Sequence, residues 1–263
     1  MSTYYESVHP ASLYADAFHV SAPAAAVGRA VWPRQPGVFI RAAQAAEIGV
    51  PGAEADGGET VGAVGRGVKA DDADQAAEIS DSGEGAEAVK PAPQPVAHEL
   101  HAGQFGLVPR WVKSASDAKL RSTKLVNARS ETVSTSNNFR DAWLGGQRCI
   151  VPMTAFMEDD WRSGKAQPTR IARVDGKPMG VAGVWESWTG EDGTVIVSYA
   201  LLTVNANNHA LISRYQQPGS EKRMPAILNE GAYDAWLGAR PEKAKEFMRA
   251  YAANWLTANP VQK

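Results

Sequence analysis

Histidine, cysteine and clustered carboxylates carry much of enzyme chemistry, and their placement in this 263-residue chain excludes several kinds of it. His9, His19, His98, His101 and His209 do not fall at metal-ligand spacing. His98 and His101 stand three apart, but they border a proline-rich stretch and no third ligand is near in sequence, so solvated loop histidines are expected. The single cysteine, Cys149, excludes an intramolecular disulfide and a multi-cysteine zinc site. Its place inside the apolar run QRCIVP predicts a buried structural thiol. No phosphate-binding GxxxxGK[ST] loop, no GxGxxG after a strand and no HExxH occurs. Neither a cofactor nor a metal is expected.

Apolar residues make up 44% of the chain and charged residues 21%, an ordinary globular balance. No run of about 18 apolar residues exists, and the first ten residues lack a basic and then apolar leader, so a cytoplasmic protein with no membrane partner is expected. The net charge of −2 hides an asymmetry. Residues 51–90 hold ten acids and three bases, while the rest of the chain holds 19 acids and 24 bases. The acidic segment is rich in Gly and Ala, lacks aromatics and runs into PAPQP, so about 50–98 reads as a disordered insertion. The mildly basic remainder is compatible with nucleic-acid binding.

Strand signals dominate after that segment, at 104–109, 124–131, 147–158, 168–174, 178–188 and 194–204. Asp175-Gly176 predicts a hairpin between the fourth and fifth, and Glu191-Asp192-Gly193 a second turn. A further strand is expected at 37–43. Helices are fewer: Pro10 to Phe18, a segment capped by Ser136 and ended by Gly145, one capped by Asn229, and one from Pro241 to Trp255. Strands without βαβ alternation predict an α+β fold on a mixed or antiparallel, barrel-like sheet with flanking helices.

Five segments in order resemble the SRAP family, the SOS response-associated peptidase or abasic-site processing proteins. They are FGLVPRW at 105–111, LVNARSET at 125–132, RCIVPMTAFME at 148–158, LTVNAN at 202–207 and KRMPAIL at 222–228. The resemblance implies one domain over 1–263 with a barrel-like core and flanking helices. It also implies a function in the DNA damage response: an N-terminal residue, exposed by loss of Met1, captures the ring-opened aldehyde of an abasic site in single-stranded DNA. In the family that residue is cysteine and the product a thiazolidine cross-link; here position 2 is Ser2. A Ser2 α-amine still forms a Schiff base, since its pKa of about 8 leaves some neutral amine near pH 7.

The resemblance carries further roles onto this chain. Asn127 can orient the sugar or the amine, or simply end a strand with a hydrogen bond. Glu158 closes an apolar strand, where burial raises its pKa and suits it to proton shuttling; otherwise it is a solvated acid of the Glu158-Asp159-Asp160 run. The family's His before RMP is replaced by Glu221 or, across a short insertion, by Gln216. Arg129 offers a donor fork to phosphate, or pairs with Glu131. Trp111 stacks on a base or packs in the core. With them, Arg110 and Arg223 are expected to contact DNA. The reading is an abasic-site lyase acting on single-stranded DNA as a monomer, nucleoid-associated when it acts. The alternatives are a single-stranded DNA-binding module without chemistry, and a peptidase-type hydrolase that removes a short N-terminal leader with Glu158 as acid/base.

Overall fold

A computed structural model of the chain describes residues 4–43 and 97–261. The strands in chain order are β1 (Tyr5–Glu6), β2 (Ala30–Val31), β3 (Pro36–Ala42), β4 (His98–Phe105), β5 (Asn127–Arg129), β6 (Arg148–Met153) and β7 (Ala155–Asp160), then β8 (Gln167–Arg173), β9 (Met179–Thr189), β10 (Val195–Asn205), β11 (Arg223–Pro225), β12 (Ile227–Leu228) and β13 (Leu256–Pro260). The α-helices are α1 (Leu13–Phe18), α2 (Ala115–Ser122), α3 (Arg140–Leu144), α4 (Tyr233–Leu237) and α5 (Pro241–Ala244). None is long and apolar enough to cross a membrane.

Two sheets organise these strands. In the larger one β10, β4, β3, β6 and β9 pair in turn, and β9 returns to β10, which closes a five-stranded barrel. Only the β10–β4 contact in that ring is parallel. Closure removes the exposed edges of an open sheet. It also explains why β6 is buried at every position: it lies between β3 and β9, with helix α4 packed against it. The far half of β10 takes β5 and β11, and β12 lies on β9. The smaller sheet runs β13-β8-β7-β1-β2, with every pairing antiparallel.

Tyr5 links the two sheets. Its ring meets Phe105 edge-on at 5.2 Å, and its hydroxyl lies 2.5 Å from that of Tyr199 on β10. Phe39, Phe105 and Tyr199 complete this aromatic centre. Trp143 of α3 and Trp236 of α4 form a second one, with the buried Arg148 guanidinium over both rings. The expected α+β barrel-like core with flanking helices is therefore the observed architecture.

Several local expectations are corrected. The run at 147–158 is two strands in different sheets. At Thr154 the backbone N–H turns to the Glu6 carbonyl and the hydroxyl to that of Ser7, so β7 leaves β6 to pair with β1. Asp175-Gly176 does make a turn, with Gly176 at φ 73°, but no hairpin. β8 stays with β7 and β13, while β9 enters the barrel, where its first six residues are buried. The second turn does join a hairpin, β9 to β10. The helix expected over 241–255 ends after α5 and a 3₁₀ turn at Lys245–Phe247, because Met248 turns out at ψ 75°. Phe247 then packs edge-on against Trp236, and the Tyr251 carbonyl accepts from His209 Nε2. The strand at 104–109 runs earlier, over His98–Phe105, and α3 starts at Arg140, with the Ser136 carbonyl accepting the Phe139 and Arg140 N–H groups. Of the segment expected as an insertion, 50–98, all but the last two residues lie outside the described residues.

Candidate active site

β7 carries Phe156 and Glu158 on the face that pairs with Ile171 and Thr169 of β8. Strand alternation turns Met157 and Asp159 the other way. Glu158 is 4% exposed, at the inner wall of a pocket of about 410 Å3. Tyr4, Trp32, Trp161, Pro168 and Gln216 also line it. Tyr4 stands two residues from Ser2, which itself lies outside the described residues. The Tyr4 and Trp32 rings are stacked, 3.9 Å between centroids and 14° from parallel.

Gln216 reaches this pocket because its loop is tied to β7. Its backbone N–H donates to the Asp159 carbonyl at 2.7 Å, and Tyr215 bridges Asp160. The backbone at Gln216 is left-handed, φ 68°. Its side chain turns to β11: Nε2 donates to the Arg223 carbonyl at 2.5 Å, and Oε1 accepts from the Arg223 N–H at 3.1 Å. Both ends of the amide are thereby engaged. Of the two acids beyond Glu158, Asp160 is held by Arg162, whose hydrogen bonds keep its carboxyl below the usual range.

A second group of the expected residues gathers on β5, β10 and β11. Asn127 and Arg129 share one side of β5, with buried Ala128 between them. Arg129 is half-exposed and donates to Glu221 Oε2 at 2.5 Å. Glu221 Oε1 accepts from Asn205 at 2.9 Å and Arg223 at 2.7 Å, and hydrogen bonds from both keep its carboxyl below the usual range. Arg223 is 2% exposed and also donates to Glu131 and to the Thr203 hydroxyl and carbonyl. Glu131, expected as a partner of Arg129, instead pairs with Arg223. Arg223 is therefore a buried anchor, and Glu221 an ion-pair partner outside the Glu158 pocket.

Trp111 and Arg110 belong to neither group. Trp111 is exposed over one face, carries the Arg121 guanidinium at 4.6 Å and donates its indole N–H to the Asn137 carbonyl. Arg110 pairs with the buried carboxylate of Glu186 at 2.8 Å. Tyr4 and Trp32 were not singled out by sequence reasoning; two aromatics 28 positions apart leave no periodic signal. Cys149 is fully buried, and burial pushes its thiol well above the usual range. His209 is tied at both ring nitrogens to main-chain groups, a structural role. Among the described residues no cluster of three metal-ligating side chains occurs.

The family model described as SOS response associated peptidase (SRAP) matches residues 55–263. The chain is 28% identical over 162 residues to the abasic site processing protein YoqW of Bacillus subtilis, covering 60% of this chain and 67% of that protein. It is 26% identical over 166 residues to the abasic site processing protein HMCES of Gallus gallus, covering 56% of this chain and 47% of that protein. The fold is similar to a crystal structure of a Bordetella bronchiseptica protein, with TM-score 0.75 and 31% identity over 99% of this chain and 100% of that one.

Proposed function

The chain belongs to the SOS response-associated peptidase family, and on that premise we propose that it processes abasic sites in single-stranded DNA through an N-terminal amine at Ser2. One observation carries the reading: Tyr4, two residues from Ser2, lines the same pocket as the buried carboxyl of Glu158. Two residues of chain span at most about 7 Å, a reach that allows an amine at Ser2 to act in that pocket. The names of the relatives above supply the lesion.

The amine adds to the aldehyde carbon of the ring-opened sugar and gives a carbinolamine. Loss of water, with a proton delivered to the departing oxygen, gives an imine. Glu158 suits that transfer, because a carboxyl held in a pocket can give and regain one proton within a cycle. Arg129 and its neighbours on β5 supply the phosphate contact. The Ser2 hydroxyl closes a ring on the imine far less readily than a thiol, so the adduct remains reversible.

Borohydride trapping on abasic single-stranded DNA tests this. A trapped adduct is expected, reversed by heat or hydroxylamine when borohydride is omitted. Glu158→Gln slows its formation about a hundredfold. Ser2→Cys converts the adduct to a heat-stable cross-link. No adduct from either the wild type or the Ser2→Cys variant, with DNA binding intact, removes the capture chemistry and leaves a binding module. One observation favours that second reading: the Gln216 amide is consumed by the Arg223 main chain and offers no proton shuttle.

A further inference from the structure

Beyond Tyr4 the Glu158 pocket has a neighbour. A cleft of about 600 Å3 adjoins it along the smaller sheet, and Tyr4 and Met157 line both cavities. Four basic side chains line the cleft, Arg29, Arg170, Arg173 and Lys177, with His9 beside them and Glu6 as its carboxylate. Glu6 is already matched, accepting from Arg170 at 2.8 Å and from Thr154. Arg173 is spent on Asp175 and Glu230. Arg29 and Lys177 are exposed, and among the described residues neither is held in a close ion pair, although Lys177 stands within Coulombic reach of Asp175. The cleft therefore keeps an excess of positive charge.

We propose that this cleft and the Tyr4–Trp32 stack form a track for the nucleotide next to the lesion: its base stacks on the ring pair and its phosphates lie against Arg29 and Lys177. The proposal rests on the single-stranded DNA reading above and adds the route of the strand. The charges divide the work. The exposed Asp159 carboxylate makes the pocket hostile to phosphate but not to a neutral base. The cleft across Tyr4 offers the reverse. Trp32 is 43% exposed and already packed face-on to Tyr4, so it presents a rigid π-surface at little ordering cost. Tyr4, Arg29, Trp32 and Lys177 all lie outside the five segments that resemble the family.

The test uses the full chain and a lesion-free oligothymidylate of about 15 nucleotides, with affinity measured across a salt series. Arg29→Glu with Lys177→Glu weakens binding tenfold or more and flattens the slope of log K against log salt by about 1.4, for two single-strand phosphate contacts. Trp32→Ala weakens binding roughly five- to a hundredfold and leaves that slope unchanged, because stacking releases no counterions. Trp32→Phe restores most of the loss, which separates stacking from misfolding. An unchanged affinity and slope in the double variant overturns the track. So does inorganic phosphate that competes as well as the oligonucleotide at equal phosphate concentration, since it marks a free-anion site. Borohydride trapping keeps the two proposals apart. Wild-type protein that binds through the cleft but traps no abasic DNA retains the track and loses the capture chemistry.

Discussion

Gly37→Ala tests how the N-terminal strand is held. Gly37 lies on β3, and a Cβ there would sit on the Tyr199 hydroxyl and 2.8 Å from that of Tyr5. Both tyrosines are at most 1% exposed. Tyr199 has no room to swing aside, with Phe39 and Phe105 at 5.4 and 5.7 Å between ring centroids. Two costs add. Overpacking a filled core costs about 1–3 kcal/mol. Driving apart two buried hydroxyls that satisfy each other costs about 1–3 kcal/mol more. A loss of about 2–6 kcal/mol is expected from the two costs, read by urea denaturation as a lower midpoint at unchanged slope. The partner variant makes the test specific. Tyr199→Phe removes the clashing oxygen and leaves a ring carbon at 3.2 Å as the nearest Tyr199 atom. Gly37→Ala/Tyr199→Phe is therefore more stable than the sum of the single losses allows. A Gly37→Ala protein within about 0.5 kcal/mol of the wild type refutes the reasoning, and so do strictly additive losses.

Arg223→Met leaves Glu131 and Glu221 without their shared guanidinium and costs about 2–4 kcal/mol, discounted because both acids are partly exposed. Its salt slope for DNA binding matches the wild type, since a buried anchor touches no phosphate. Burial is the largest influence on Glu131 and opposes its ionisation, but the hydrogen bond and charge of Arg223, with a backbone hydrogen bond, together outweigh it and hold the carboxyl below its usual 4.5. That contribution is complete above about pH 4.5 and disappears as pH falls through the depressed value, so acid denaturation of the wild type steepens there and that of Arg223→Met does not. Cys149 reacts with a thiol reagent only at the rate of unfolding, since its thiol is buried and held protonated at neutral pH; modification of the folded protein on mixing contradicts this.

The barrel was legible in the chain because its strands alternate or run apolar in lengths that suit a sheet, and turn residues separate them. Sheet membership was not. Local patterns report where the chain extends or reverses, whereas the neighbour of each strand is chosen by distant hydrogen bonds, such as those from Thr154 to Glu6 and Ser7. Asp175-Gly176 reverses the chain as its residues dictate, but six buried positions at the start of β9 are satisfied only inside the barrel. The amphipathic stripe of 241–255 is likewise overridden by tertiary bonds to Tyr251 and packing on Phe247. At the site, Glu158 and Gln216 were reachable from ordered motifs. Arg223 was expected to contact DNA, and its burial was not legible, because arginine is rarely buried without several partners, and those of Arg223 come from Glu131, Thr203 and Glu221, which no local pattern links.

Those bonds also bear on whether Arg129 is available to DNA. Glu221 holds it through Oε2 alone, while Oε1 is kept by Asn205 and Arg223. A phosphate that takes the Arg129 fork therefore displaces one contact and leaves Glu221 ionised, oriented and still paired. The exchange trades one exposed ion pair for another, and exposed pairs are worth about 0–1 kcal/mol. Arg223 cannot make the same exchange, because its departure would leave buried Thr203 unsatisfied and take from two partly exposed acids their shared guanidinium. The same ion cluster thus contains one arginine fixed as its anchor and one held loosely enough to serve a ligand. Gln216 joins this arrangement to the pocket, bonding Asp159 through its main chain and Arg223 through its amide. The loop that closes the pocket beside Glu158 is in this way secured by the anchor rather than by the exchangeable arginine, so DNA engaging Arg129 need not loosen the wall against which the chemistry is proposed to occur.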